Sequence, residues 1–166
     1  MTEQPTYTIR RELRDGDEAV VKAIVTSTGF FTPEEIDIAV ELVAERRSNG
    51  DASGYHFLFL DDAERTVGYV CHGPIAGTES SYDLYWIAVD NTLRGQGHGK
   101  RLLIETERDI ALAKGQRIYV DTSSRAAYMP TRAFYERSGY HVAAELPDFY
   151  APQDGKVIFC KLLVVG

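Results

Sequence analysis

Between positions 94 and 100 the chain reads Arg94-Gly95-Gln96-Gly97-His98-Gly99-Lys100, three glycines in alternation with a cation at either end. The run Ile87-Ala88-Val89 precedes it and the helix-prone Leu102-Leu103 follows, so a strand passes through a glycine-rich turn straight into a helix. Such a turn is suited to anions. Glycines let a ligand approach the backbone closely, the helix's first-turn amides point outward unpaired, and the dipole adds partial positive charge. Arg94 and Lys100 add full charges beside it. Two familiar phosphate loops do not fit. A Walker A loop needs Gly at position 94 and Ser or Thr at 101, where this chain has Arg94 and Arg101. A dinucleotide fingerprint begun at Gly95 needs Gly at 100, where it has Lys100. What remains is the spacing Arg94-x-x-Gly97-x-Gly99.

That spacing resembles the GNAT N-acetyltransferase superfamily, whose signature of Gln or Arg, two residues, Gly, one residue, Gly or Ala holds the coenzyme A pyrophosphate. A second family signature, an aromatic pair followed by Gly-aromatic at the end of a short helix, stands here as Phe134-Tyr135-Glu136-Arg137-Ser138-Gly139-Tyr140. The resemblance is specific over Tyr82 to Tyr140 and extends to the whole chain in element order. It implies acetyl-CoA as co-substrate, its pyrophosphate held by Arg94, Gly95, Gln96, Gly97, His98, Gly99 and Lys100. It also implies that the strand Tyr82 to Val89 splays open, with Ile87, Ala88 and Val89 pairing with the pantetheine amides and one N–H facing the acetyl oxygen. The chain departs from the family at one point. Many relatives carry Asn seven residues before the motif tyrosine, where this sequence has Tyr128, so hydroxyls of Thr122 or Ser123 are expected to substitute.

The chemistry sets three tasks: an ammonium must lose a proton, an oxyanion needs donors, and a departing thiolate needs a proton. Tyr135 is the candidate acid, because a phenol of pKa about 10 is protonated at neutral pH and matched to a thiol of about 8.5. Asp83 is the candidate base. It lies eleven residues before Arg94, the offset at which histone-acetylating relatives resemble this chain but carry a catalytic Glu. His72 and Asp121 are weaker alternatives. The histidines at 56, 72, 98 and 141 lack metal-ligand spacing, so no metal is expected. Family topology puts Phe30, Phe31 and the loop Asp148 to Gly155 beside the acceptor's entrance, and aromatic plus acidic groups suit a small cationic amine.

These residues need a scaffold. Strands are expected at Tyr7 to Arg11, Tyr55 to Leu60, Thr66 to Gly73, Tyr82 to Val89, Ile118 to Thr122, Tyr140 to Leu146 and Lys156 to Leu163. Helices are expected at Glu18 to Thr28, from Pro33 to Asn49-Gly50, at Gly97 to Lys114 and at Thr131 to Ser138. Asp15-Gly16-Asp17 is expected to cap the first, and Thr32 with Pro33 and two glutamates to begin the second. Expected apolar faces are Ala19, Val20, Ala23 and Ile24 on the first helix, and Ile36, Val40, Val43 and Ala44 on the second. The fold class is α/β of the α+β type: a mixed, mostly antiparallel sheet of about seven strands with about four helices.

At 166 residues and 44 % hydrophobic, the sequence is expected to form a single domain spanning 1–166. A net charge of −7 argues against a nucleic-acid partner. No apolar run suits a membrane span and Met1 to Arg14 is polar, so a cytoplasmic protein is expected. Cys71 and Cys160, far apart and without CxxC spacing, read as buried free thiols. Family members are often dimers, which leaves a homodimer open. The expected acceptor is a small amine or amino acid rather than a protein. The rival readings are a non-catalytic acyl-CoA sensor and an interaction protein whose turn binds nothing.

Overall fold

The computed structural model describes residues 4–163. In chain order it contains β1 (Thr8–Arg10), α1 (Asp17–Ser27), α2 (Pro33–Asn49), β2 (His56–Asp61), β3 (Thr66–Pro74), β4 (Ser81–Val89), α3 (His98–Leu112), β5 (Arg117–Ser123), α4 (Met129–Arg137), β6 (His141–Ala151) and β7 (Asp154–Leu162). The strands form one seven-stranded sheet in the order β1-β2-β3-β4-β5-β7-β6. The pairs β1–β2, β2–β3, β5–β7 and β6–β7 are antiparallel, while β4 runs parallel to β5. The expected mixed sheet with four helices is therefore observed. By its contacts the chain divides into two compact units, and β4 and α3 are each shared between them. Unit 1 runs to Gly73 and resumes over Trp86–Thr106; unit 2 takes Pro74–Tyr85 and the chain from Glu107 onward. The ends of the expected domain, residues 1–3 and 164–166, lie outside the described residues.

In unit 1, Thr32 starts α2 with a capping box: its hydroxyl accepts from the Glu35 amide, and the Glu35 carboxylate accepts from the Thr32 amide at 2.7 Å. The start of α1 differs from expectation. Gly16 occupies the cap position in the left-handed region, with φ 89°, and no side chain caps the helix. Asp17 is instead buried. Its carboxylate accepts from Arg10 Nη1 at 2.9 Å, and Arg10 Nε donates to Asp61 at 2.8 Å, so one guanidinium ties β1, α1 and β2 together. With its carboxylate committed to Arg10, Asp17 does not cap the helix. The buried face of α1 also differs from expectation. Val21, Ile24 and Val25 face inward while Ala19 and Ala23 are exposed, and α2 buries Ala39 and Val43 and exposes Ala44. These side chains meet Phe57, Phe59, Tyr69, Cys71 and Ala88 in one apolar cluster.

In unit 2, β5 and β7 alternate: Ile118, Val120, Val157 and Phe159 are buried, whereas Tyr119, Asp121, Lys156 and Ile158 are partly or largely exposed. Gly115, just after α3, is required by crowding, since a Cβ there would sit 2.7 Å from the Tyr82 ring. The left-handed step that terminates the helix falls on Lys114, with φ 66°. The final hairpin is a correction to the expected loop over Pro147 to Gly155. β6 continues to Ala151 and β7 begins at Asp154, leaving only Pro152 and Gln153 as the turn. Asp148 makes this possible. It adopts a left-handed φ of 55°, which aspartate tolerates, and its carboxylate accepts from the Gln153 amide at 2.6 Å, while the register shifts between Leu146 and Ala151.

Candidate active site

The glycine-rich turn lies in unit 1. Gly95 and Gly97 both have left-handed φ, 76° and 82°, the region glycine enters without a Cβ clash. The first bond of the α3 ladder runs from the Arg101 amide to the Gly97 carbonyl at 3.1 Å, so the amides of His98, Gly99 and Lys100 belong to the open first turn. The approach to the turn is anchored. The Asp90 carboxylate accepts from the Thr92 amide at 2.9 Å and from Arg65 at 2.8 Å, and the Asp90 amide donates to the Val67 carbonyl at 2.8 Å. Arg94, Gln96 and Lys100 are exposed. The Arg94 guanidinium lies 5.8 Å from the Phe30 ring centroid. His98 is the exception, being only 8 % exposed, with its ring centroid 4.4 Å from that of Tyr7. Its Nε2 is buried without a partner among the described residues, so its position in the turn presents backbone rather than imidazole outward. Ala88 is buried and Ile87 and Val89 are half-buried on β4, while Phe31 packs edge-on against Trp86 at 4.8 Å.

The acid–base candidates lie in unit 2. Tyr135 is 3 % exposed on α4, with its ring 5.5 Å from Tyr140 and 5.9 Å from Phe159. Burial pushes its phenol up, so the hydroxyl keeps its proton at neutral pH. The end of α4 is tied down: Lys161 donates to the Ser138 carbonyl at 2.9 Å and to Glu107 at 3.0 Å, and the Tyr140 hydroxyl donates to Glu107 at 3.0 Å. The parallel ladder between β4 and β5 comprises Ser81↔Arg117, Tyr82↔Ile118 and Asp83↔Tyr119, so Asp83 stands on its last rung. Asp83 is half-buried. Burial above all, and then the charge of Asp121, push its carboxyl up, with Lys156 opposing. Asp121 itself is engaged by Lys156 Nζ at 3.0 Å.

The loop after β5 is held on several sides. Thr122 is buried with its hydroxyl donating to the Val157 carbonyl at 2.9 Å, and the Ser123 hydroxyl donates to Asp154. Both protons expected to replace the missing Asn are thus already engaged, which leaves oxygen lone pairs and backbone for a cofactor. Arg132 donates to the Arg125 carbonyl at 3.0 Å, and the Gly155 amide donates to Ser124 Oγ at 2.8 Å. Tyr128 is half-buried at the start of α4, with Arg125 5.3 Å above its ring. A cavity of about 450 Å³ opens between α4 and β6–β7, lined by Arg132, Glu136, Val142, Leu146, Val157 and Phe159 among others. None of the expected catalytic or cofactor residues line it.

Sequence reasoning missed Lys156. Its ammonium pairs with Asp121 and sits 4.1 Å from the Phe149 ring centroid and 5.9 Å from that of Tyr150. Its strand parity was visible in the sequence, but its neighbours depend on the β5–β7 register, which nothing local specifies. His72, an alternative base, is buried on β3 with its ring stacked 5.6 Å from His56. Among the described residues no group of three or more His, Cys, Asp or Glu could hold a metal, and no helix is long and apolar enough to cross a membrane.

Residues 53–142 match the family model of the acetyltransferase (GNAT) domain. No curated protein matches by sequence. Among solved structures, one from Desulfovibrio desulfuricans assigned to the GNAT acetyltransferase family is 43 % identical, covers 96 % of this chain and 100 % of its own, and superposes with a TM-score of 0.94. Two more distant structures share the fold. The ribosomal-protein-S18-alanine N-acetyltransferase of Escherichia coli has 18 % identity, 97 % and 96 % coverage, and a TM-score of 0.75. An aminoglycoside 6′-N-acetyltransferase complexed with coenzyme A has 17 % identity, 95 % and 97 % coverage, and a TM-score of 0.74. The match covers both the glycine turn and the Phe134-to-Tyr140 motif, and on it the chain belongs to the GNAT family of N-acetyltransferases.

Proposed function

We propose that this protein, acting as one acetyltransferase domain, moves the acetyl group of acetyl-CoA directly to a primary amine, a small cationic amine or amino acid in preference to a protein. The observation that carries the proposal is the turn of unit 1. Two left-handed glycines lead into the open first turn of α3, with Arg94 and Lys100 exposed beside it, as a diphosphate cradle requires. Gly95, Gln96, Gly97, His98 and Gly99 would hold the diphosphate through backbone amides. Ile87, Ala88 and Val89 would pair with the pantetheine arm and offer one N–H to the acetyl oxygen. Thr122, Ser123 and Tyr128 are proposed as further cofactor contacts.

Asp83 takes the proton that the acceptor ammonium must lose, directly or through one water. The freed lone pair attacks the thioester carbonyl, the C–S bond breaks, Tyr135 gives its proton to the thiolate, and the second proton lost by nitrogen replaces, through solvent, the one Tyr135 gave up. An upward-shifted carboxyl is a better base near neutrality than an ordinary aspartate, which supports Asp83 in this role. The half-buried carboxylate of Asp83 favours a cationic acceptor, since Phe149, Tyr150 and Asp121 are already engaged by Lys156.

One observation favours a second reading, an acyl-CoA-binding module without turnover. Tyr135 is buried among aromatic rings, and burial makes its phenol a weaker acid. An amine panel read by free-thiol release, with calorimetry of acetyl-CoA binding alongside, separates the two. Saturable binding with no thiol release across the panel rejects the enzyme; absence of binding rejects both.

A further inference from the structure

Asp83, Asp121 and Lys156 lie on three different strands, yet the registers bring them to one face. Asp83 pairs in register with Tyr119, so Asp121, two residues on, projects to the same side. Asp121 pairs with Ile158 on β7, and Lys156, two residues earlier, again shares that side. The 3.0 Å ion pair between Lys156 and Asp121 is consistent with this diagonal. It is a small set. On β4, Asp83 is the one carboxylate or cation between Ser81 and Val89; β3, the other neighbour of β4 in the sheet, carries only His72 as an ionisable side chain besides Tyr69 and Cys71. β5 adds Arg117, Tyr119 and Asp121, β7 adds Asp154, Lys156, Cys160 and Lys161, and β6 carries His141, Glu145, Asp148 and Tyr150. Of these, Asp121 and Lys156 act electrostatically on Asp83, and with opposite sign.

We propose that the Asp121–Lys156 pair is a positioning device, an electrostatic counterweight that sets the pH range over which Asp83 accepts the acceptor's proton. The proposal rests on the reading of Asp83 as the base. Neither partner touches the reacting atoms. Asp121 disfavours the Asp83 carboxylate and so raises its basicity, while Lys156 favours the carboxylate and opposes that rise. The aromatic rings of Phe149 and Tyr150 against the ammonium hold Lys156 in place, so the balance is built into the β6–β7 hairpin.

Two readouts on the full chain test this: the titration midpoint of the Asp83 carboxyl carbon by NMR, and the acid limb of kcat/KM for an amine that turns over. In Asp121→Asn both move to lower pH, because a repelling charge is gone and Lys156 is released. In Lys156→Met both move to higher pH, because the attracting charge is gone and Asp121 is left uncompensated. On that limb Asp121→Asn is therefore a few-fold faster than the parent and Lys156→Met a few-fold slower. The double variant returns close to the parent, and Lys156→Arg, which keeps the charge, leaves both readouts where they were. Midpoints that stay fixed, or move in the same direction in both single variants, overturn the counterweight and leave Asp83 as base. Midpoints that move while the kcat/KM limb does not, or a limb that persists in Asp83→Asn, overturn Asp83 as base and the counterweight's role with it.

Discussion

The glycine turn of unit 1 and the Asp83–Asp121–Lys156 face of unit 2 are built from different materials. The turn is made of backbone: two left-handed glycines, the open amides of a helix start, and an approach anchored by Asp90. Its geometry is set by a few consecutive residues and changes little with the side chains around it. The face of unit 2 is made of side chains brought together from β4, β5 and β7, and its charge balance rests on single atoms such as Lys156 Nζ. A backbone site resists most substitutions and fails only where glycine is replaced. A side-chain site can be adjusted by one charge at a time.

The sharpest way to break this contrast is at Tyr135. Tyr135→Phe keeps the buried ring and its packing against Phe159, so folding should be little altered, while kcat falls about 100-fold or more if the hydroxyl is the acid. Undiminished turnover, with acetyl-CoA affinity also unchanged, would return Tyr135 to the core. Gly97→Val probes the other region. Forcing a β-branched residue to φ 82° costs about 1–2 kcal/mol or displaces the turn, so calorimetry should show acetyl-CoA affinity lower by about tenfold, with the acid limb of the rate profile unmoved. Equal affinity in that variant would mean the turn holds no cofactor.

Thr32→Ala is the control outside both regions. Loss of the capping box should cost about 1 kcal/mol in denaturant unfolding and leave binding and turnover as they were. Arg94→Gln should have the smallest effect. The exposed guanidinium acts through a screened charge, so affinity should fall only a few-fold at low salt, and the difference should fade as ionic strength rises. A salt-independent loss would indicate a direct, desolvated contact instead.

Legibility followed the same division. The turn could be read from seven letters because each requirement is local: glycine where φ is positive, cations at the ends, a helix to follow. The start of α2 was legible for the same reason, through Thr32, Pro33 and Glu35. Where local rules met a longer-range demand they gave way. Asp17 had the chemistry of a cap and became the ligand of Arg10, and α1 buries Val21, Ile24 and Val25 rather than the expected alanines. The Pro147 to Gly155 segment had the composition of a loop, yet Asp148 in a left-handed conformation let the hairpin run nearly to its tip.

By itself the sequence determined the strand–turn–helix cradle, the order of the elements and the family they spell, because these depend on neighbours in the chain. Only the tertiary structure decided that Asp83, Asp121 and Lys156 share a face, that Tyr135 is buried among aromatic rings, and that the hydroxyls of Thr122 and Ser123 are already engaged. Those outcomes depend on strand register and burial, which are settled by packing across tens of residues and leave no mark in any short stretch of sequence.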